Sequence, residues 1–260
     1  MFKRFFLIGA VIVLAIVAIG ITYVLRTPAE ASEPIQAIAI TQEPEVQVSD
    51  EAMAVTNTTI DVNTNSAEDT SSDTTQAINV KAGTSLIFEI NQDDSQVSFD
   101  LDEDLRGVRT TVLGVTDQVA GQIALDPTDL STLQVGTIQV NARTLATDND
   151  FRNRAIQNEI LDTGSYEYIT FAPTAVSGLP ESVAVNETAT FTIVGDLTIR
   201  NITQQVTFDV TATLVSATEL SGTATTTISR QDYDLTIPSV PQVANVDEAV
   251  VLTIDFAADA

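Results

Sequence analysis

From residue 81 onward the apolar positions fall mostly on every second residue. Leu86, Phe88 and Ile90 share one face, as do Val97, Phe99 and Leu101. The alternation continues through Val119, Ile123 and Leu125, then Ile138, Val140 and Ala142. It resumes at Phe191, Ile193, Leu197 and Ile199, at Val206, Phe208, Val210, Ala212 and Leu214, and at Val250, Leu252, Ile254 and Phe256. A period of two sends neighbouring side chains to opposite faces of a strand, so these stripes predict half-buried strands. Turn-formers separate them: Asn91-Gln92-Asp93-Asp94, Asp126-Pro127-Thr128-Asp129, Ser177-Gly178-Leu179-Pro180 and Asn245-Val246-Asp247. One stretch breaks the rhythm. Between Thr147 and Leu161 the residues Phe151, Ala155, Ile156 and Ile160 recur near helical spacing, and Thr147 with Asp150 resembles a capping box. The pattern predicts an all-β domain of about eight or more antiparallel strands with one short inserted helix, closed as a barrel or packed as a sandwich.

The first 80 residues follow other rules. Residues 1–26 contain no acid; Lys3 and Arg4 precede a 21-residue apolar run from Phe5 to Leu25, and Arg26 closes it. About 20 apolar residues suffice to cross the hydrocarbon core, which predicts a transmembrane signal-anchor. Ala29-Glu30-Ala31 is a small-x-small site of the kind that follows a cleaved secretory signal, the rival reading. Both readings put the remainder outside the cytoplasm, because the leading basic residues prefer the inside. Residues 27–80 then hold ten acids and no basic or aromatic residue, are dense in Thr, Ser and Asn, and have Pro28, Pro34 and Pro44 at their start. Such a composition predicts a disordered acidic linker, with a root-mean-square span of roughly 40 Å. The expected organisation is a membrane segment over 1–26, a linker over 27–80 and a β domain over 81–260.

Charge narrows the function. The chain has 36 Asp+Glu against 11 Lys+Arg, a net charge of −25. By segment this is +3 for residues 1–26, −10 for the linker and −18 for the domain. Nucleic acid is excluded as a partner, since phosphate binding needs a basic patch. The absence of Cys and His removes disulfides, thiol or Ser-His-Asp chemistry and Cys- or His-held metals. Asp100-x-Asp102-Glu103-Asp104 gathers carboxylates but lacks the Gly and distal Glu of an EF-hand, so a solvated acidic turn is expected, with no metal site and no cofactor. Asp148 with Asp150, and Asp232 with Asp234, have no evident partner or burial to raise one pKa for hydrolysis. No catalytic residue is expected, and the chain is read as a non-enzyme.

Three runs carry a family resemblance. Thr147-Asp148-Asn149-Asp150-Phe151-Arg152-Asn153-Arg154-Ala155-Ile156, followed by Leu161-Asp162, Tyr166 and Ile169-Thr170-Phe171, resembles the central signature of the YceI-like family. Val194-Gly195-Asp196-Leu197-Thr198-Ile199-Arg200-Asn201-Ile202-Thr203 is similar to that family's Gly-x-Leu-Thr-Ile-x-Gly-Val-Thr, and Arg230-Gln231-Asp232-Tyr233 to its Arg-x-Asp-Phe. Order and spacing fit across roughly 85–260. Four positions depart from the pattern: Asn153 replaces the acid of an Arg-Asp pair, Gln157 a common basic residue, Glu167 the usual Pro and Asn201 the usual Gly. The resemblance implies a lipocalin-like antiparallel β-barrel with an elongated pocket, associated in that family with polyisoprenoids or other long-chain amphiphiles, and no established catalytic residues. A barrel of about eight strands is either filled by side chains or holds one slender ligand.

On this reading Phe99, Phe171, Phe191 and Phe208 line the pocket, and Arg152 and Arg230 meet a lipid head group through their guanidinium forks. The plainer alternative makes these arginines structural ion pairs, and Arg106 and Arg109, around Gly107, part of an exposed turn. The expected partners are an isoprenoid or other long-chain lipid, the membrane through the N-terminal helix, and a second copy of the chain in a homodimer. The alternative function is a non-enzymatic cell-surface structural or interaction domain on an acidic stalk.

Overall fold

A computed structural model describes residues 26–32, 34–40 and 85–260; the apolar run and most of the linker lie outside the described residues. The β residues form a single, strongly curled antiparallel sheet of 13 strands among the described residues. The strands are β1 (Leu86–Ile90), β2 (Gln96–Leu105), β3 (Val108–Thr116), β4 (Val119–Ala120), β5 (Gln122–Asp126), β6 (Asp129–Val135) and β7 (Ile138–Asn141). After the helical insert come β8 (Tyr168–Ser177), β9 (Thr188–Ile199), β10 (Ile202–Ser216), β11 (Glu219–Ser229), β12 (Val243–Ala244) and β13 (Ala249–Asp259). Their order is β4-β7-β8-β9-β10-β11-β13-β1-β5-β6, and the sheet branches at β13. One stretch of that strand, Val251–Asp255, pairs with β2, while Ala258 and Asp259 pair with β1. The branch β2–β3 curls round until Val115 and Ala146 exchange backbone hydrogen bonds of 2.9 and 3.0 Å, joining the two sides of the half that carries the helical insert, the upper half. Inside the curl the predicted stripes meet: Phe88, Val119, Leu197, Phe208, Val210 and Val250 are all buried.

Two pocket phenylalanines are seated by glycines. Phe99 lies directly over Gly114, its cross-strand partner, and a Cβ on Gly195 would come within 2.6 Å of both the Phe171 ring and the Ala172 carbonyl. An aromatic ring covering a bare strand position restores the lost packing and fixes where the ring points.

The acidic stretch is a strand rather than a turn. Asp100, Asp102 and Asp104 alternate outward along β2, while Glu103 faces inward and is buried. Arg109 stands opposite Asp104 on β3 and pairs with Asp102 and Asp104, each at 3.6 Å, and with Asp247. This cation offsets the mutual repulsion that makes an acid-rich strand unfavourable. Only Arg106, with Gly107, occupies the turn; both take positive φ, 53° and 81°, as a tight hairpin of this hand requires. Among the described residues no acidic cluster is disposed to hold a metal ion.

The insert is α1 (Asp150–Ala155), continued by a π-helical turn over Ile156–Ile160. Its N-cap is Asn149, whose Oδ1 accepts from the amides of Phe151 and Arg152 at 2.9 and 3.2 Å. Thr147 is therefore not the capping residue; its amide and hydroxyl both donate to Asn153 Oδ1 at 2.7 Å.

Residues 26–32 and 34–40 form a strap along the sheet, although their composition suggested the start of a free linker. Ile35 is buried at 4% exposure, and Gln92 donates to its carbonyl at 2.8 Å. Ser32 donates from its amide and hydroxyl to the two oxygens of Glu167, each at 2.7 Å, and Arg143 pairs with Glu167 at 2.8 Å. Ile40 donates to Gln122 at 3.0 Å. Burial pushes the Glu167 carboxyl up, but the Ser32 hydrogen bonds, the Arg143 charge and Asn141 outweigh it, so its pKa lies below the ordinary value. A lowered carboxylate pKa contributes stability that is fully present above the unfolded value and is lost as pH falls through the folded one. Acidification below the ordinary glutamate range is thus expected to loosen the strap. Limited proteolysis across residues 26–40 should show cleavage rising in that window, and at a higher pH in Ser32→Ala.

Tyr233 is 1% exposed, and its hydroxyl has no hydrogen-bond partner among the described residues. Burial, with Asp232 nearby, pushes its pKa up to about 12. A buried hydroxyl without a partner costs roughly 1–3 kcal/mol. Tyr233→Phe, which restores the residue of the YceI-like motif, should therefore raise the melting temperature by at least about 2 °C in a calorimetric scan.

Candidate functional site

The upper half of the curl encloses a cavity of about 660 Å³. Its walls are the inward positions of β2, β7, β8, β9 and β13, among them Phe99, Val140, Phe171, Leu197 and Ile254, together with Phe208 of β10. A second, smaller cavity of about 100 Å³ lies in the lower half, lined by Leu125, Phe191, Ala212 and Leu214. Ile138, Phe171, Phe208 and Ile254 line both. The Phe171 and Phe208 rings meet edge-on, with centroids 4.8 Å apart and planes inclined at 63°. This aromatic pair, with Ile138 and Ile254, lies between the two spaces. Of the four expected phenylalanines, Phe99, Phe171 and Phe208 therefore reach the main cavity, and Phe191 lies in the lower one.

The mouth of the main cavity is framed by α1 and by the segment Ile237–Val246, the mouth loop, which includes the short β12. Arg152 and Arg230 both stand there, and both are engaged. Arg152 donates to Glu103 at 3.0 Å and to Asp148 at 2.6 Å. Arg230 donates to the carbonyls of Asp247 and Leu235, each at 3.1 Å, and pairs with Glu248 at 3.1 Å, so it draws together the residues flanking the two ends of the mouth loop. The ion-pair alternative thus describes both residues, and it does not remove them from the pocket wall. Arg154, also on the wall, lies over the exposed Phe151 ring at 5.8 Å.

Sequence reasoning missed the mouth loop and the inward Glu103. The loop has Pro238 and Pro241 and no alternation, so its apolar Ile237, Val240 and Val243 carried no periodic signal. Glu103 was hidden among outward acids, though its odd position in the Val97-Phe99-Leu101 register already placed it on the inner face.

Residues 88–258 match the YceI-like domain family. The chain belongs to that family. A polyisoprenoid binding domain from Saccharophagus degradans, implicated in plant cell wall breakdown, has the same fold, with 15% identity, a TM-score of 0.53 and coverage of 66% of this chain and 98% of that one. BcnA of Burkholderia cenocepacia is similar at 17% identity and a TM-score of 0.50, covering 65% of this chain and 98% of that one. No curated protein matches this chain.

Membership makes the departures from the YceI-like motif informative. Asn153, in place of the acid, accepts from both the amide and the hydroxyl of Thr147. Gln157 donates to the carbonyls of Arg143 and Leu145 at 2.9 and 3.2 Å, binding the helical turn to the short turn that follows β7. Glu167, in place of Pro, is the residue that fastens the strap.

Proposed function

We propose that the domain holds one long-chain apolar lipid, a polyisoprenoid or similar amphiphile, non-covalently and without catalysis, on the outer side of a membrane to which residues 5–25 tether it. The supporting observation is the cavity of about 660 Å³, with aliphatic and aromatic walls and its charged groups gathered at the mouth. That volume suits a slender ligand, since small-molecule pockets span about 300–1,000 Å³. On this reading the curled sheet works as a lipocalin-like barrel. The tail lies along Phe99, Phe171 and Phe208, and the head group sits level with Arg152 and Arg230. Both cations are already committed to carboxylates, which favours an uncharged head over a phosphorylated one. Each buried methylene contributes roughly 0.8 kcal/mol, so affinity grows with chain length until the cavity is full.

Titration of the full chain in mild detergent with linear prenols of increasing length tests this. A prenol present at about 100 times its Kd should stabilise by about 2.7 kcal/mol, a rise in melting temperature of roughly 5–11 °C. Unchanged melting with every prenol and long-chain alcohol would contradict the reading.

A further inference from the structure

Seven large apolar side chains are exposed among the described residues: Ile38, Ile87, Val108, Leu113, Phe151, Val185 and Val240. Three of them gather at the cavity mouth. Phe151 on α1 and Val240 on the mouth loop form the rim, and Phe151 is 69% exposed. Val108, 66% exposed, stands at the tip of the β2–β3 hairpin, which is joined to the same loop by Arg106 donating to the Gln242 carbonyl at 2.7 Å.

The uncommitted cations lie in the same place. Seven arginines follow residue 80. Arg109, Arg143, Arg152 and Arg230 are paired with carboxylates, and Arg200 donates to the Ile160 carbonyl. That leaves two with neither a carboxylate pair nor a side-chain hydrogen bond among the described residues: Arg106, exposed on the hairpin, and Arg154, stacked on Phe151. In a domain of net charge −18, both border the apolar rim.

The chain also arrives here. The Arg26 carbonyl accepts from Asn158 at 2.8 Å, on the helical segment that carries Phe151 and only about 10 Å of helical rise from that residue. Arg26 directly follows the 21-residue apolar run Phe5–Leu25. From there the strap passes Ser32, Ile35 and Ile40 toward Gln122, away from the mouth. If the run Phe5–Leu25 is the tether proposed above, it joins the domain at Arg26, on this same helical segment.

We propose that this mouth end is a bilayer-docking surface. Phe151, Val240 and Val108 enter the lipid interface, Arg106 and Arg154 meet lipid phosphates, and the cavity opens onto the acyl layer. Aromatic and aliphatic side chains flanked by arginine are the chemistry of interfacial anchoring, and guanidinium forks match phosphate oxygens. The proposal rests on the tethered lipid-binder reading and adds its orientation: the ligand passes between membrane and pocket without its tail crossing water.

The chain contains no Trp, so a single introduced one reports its own surroundings. Full-length Phe151→Trp, Val240→Trp and Val185→Trp are reconstituted into phosphatidylcholine–phosphatidylglycerol vesicles, with and without brominated acyl chains. Val185, also exposed, follows Leu179 and Val183 of the lower cavity and is the control. Emission from positions 151 and 240 should be blue-shifted and quenched by bromolipid at least threefold more than emission from 185. Arg106→Glu should reduce that quenching while leaving the prenol-induced melting shift in detergent unchanged. Equal quenching at all three positions overturns the docking, as does a blue shift at 151 and 240 without bromine quenching, which would mean that a protein covers the mouth. Loss of the prenol shift in the parent chain instead counts against the lipid-binding reading, so the two failures are distinguishable.

Discussion

Phe208→Ala should lower the melting temperature by roughly 6–20 °C and lengthen the lipid tail that the domain accepts. Phe208 is buried at 3% exposure, and truncating such a ring costs about 3–5 kcal/mol through lost transfer energy and the void left behind. The void has a particular consequence here. Phe208 and Phe171 are the edge-on pair that, with Ile138 and Ile254, lies between the cavity of about 660 Å³ and the one of about 100 Å³, so removing the Phe208 ring is expected to join them. Prenols longer than the parent limit should then gain affinity, with their ends against Phe191 and Leu214. Ala212→Leu fills the lower space and should cancel the gain when combined with Phe208→Ala. The check is the prenol length at which affinity stops rising, compared in the parent, the single and the double variant. An unchanged limit in Phe208→Ala would show that the pair does not set tail length.

Arg152→Ala should cost about 3–5 kcal/mol, far more than Arg154→Ala. The difference lies in what each leaves behind. Glu103 is 5% exposed, and Arg152 is its ion-pair partner at 3.0 Å, so truncation strands a buried carboxylate. Arg154 has only the Phe151 ring, and a cation over an exposed ring contributes about 0.5–1 kcal/mol. Arg152→Lys keeps the charge but not the fork that reaches Glu103 and Asp148 together, and should fall between. Denaturant unfolding of the three variants ranks them. Similar losses at 152 and 154 would mean that Glu103 finds another partner.

These residues also show what could be read in advance. Strands with one wet face announced themselves, as at Val206–Leu214, where the period is unbroken. β3 did not, because Leu113 and Val115 face outward while Gly114 and Thr116 face inward, which erases the contrast between faces. The acids of β2 looked like a turn because nothing local reveals that Arg109 neutralises them from the next strand. Strap composition argued for disorder, yet composition averages over a segment, whereas docking depends on single contacts such as Ile35 in the core and Ser32 on Glu167. The arginines of the mouth were legible through the family motifs, but their carboxylate partners were not: Glu103 lies 49 residues from Arg152 in sequence. An open cavity and a filled core use the same aliphatic stripe, so the space between Phe99 and Leu197 became visible only in three dimensions.

The most direct test of the central claim is native mass spectrometry of the full chain, purified in mild detergent without added lipid, with solvent extraction of the same sample. One isoprenoid or other long-chain lipid per protein molecule is predicted, with the bound fraction falling when Phe99 is replaced by the bulkier Trp inside the cavity. Protein that is lipid-free and stays so after incubation with prenols of every length would contradict the account.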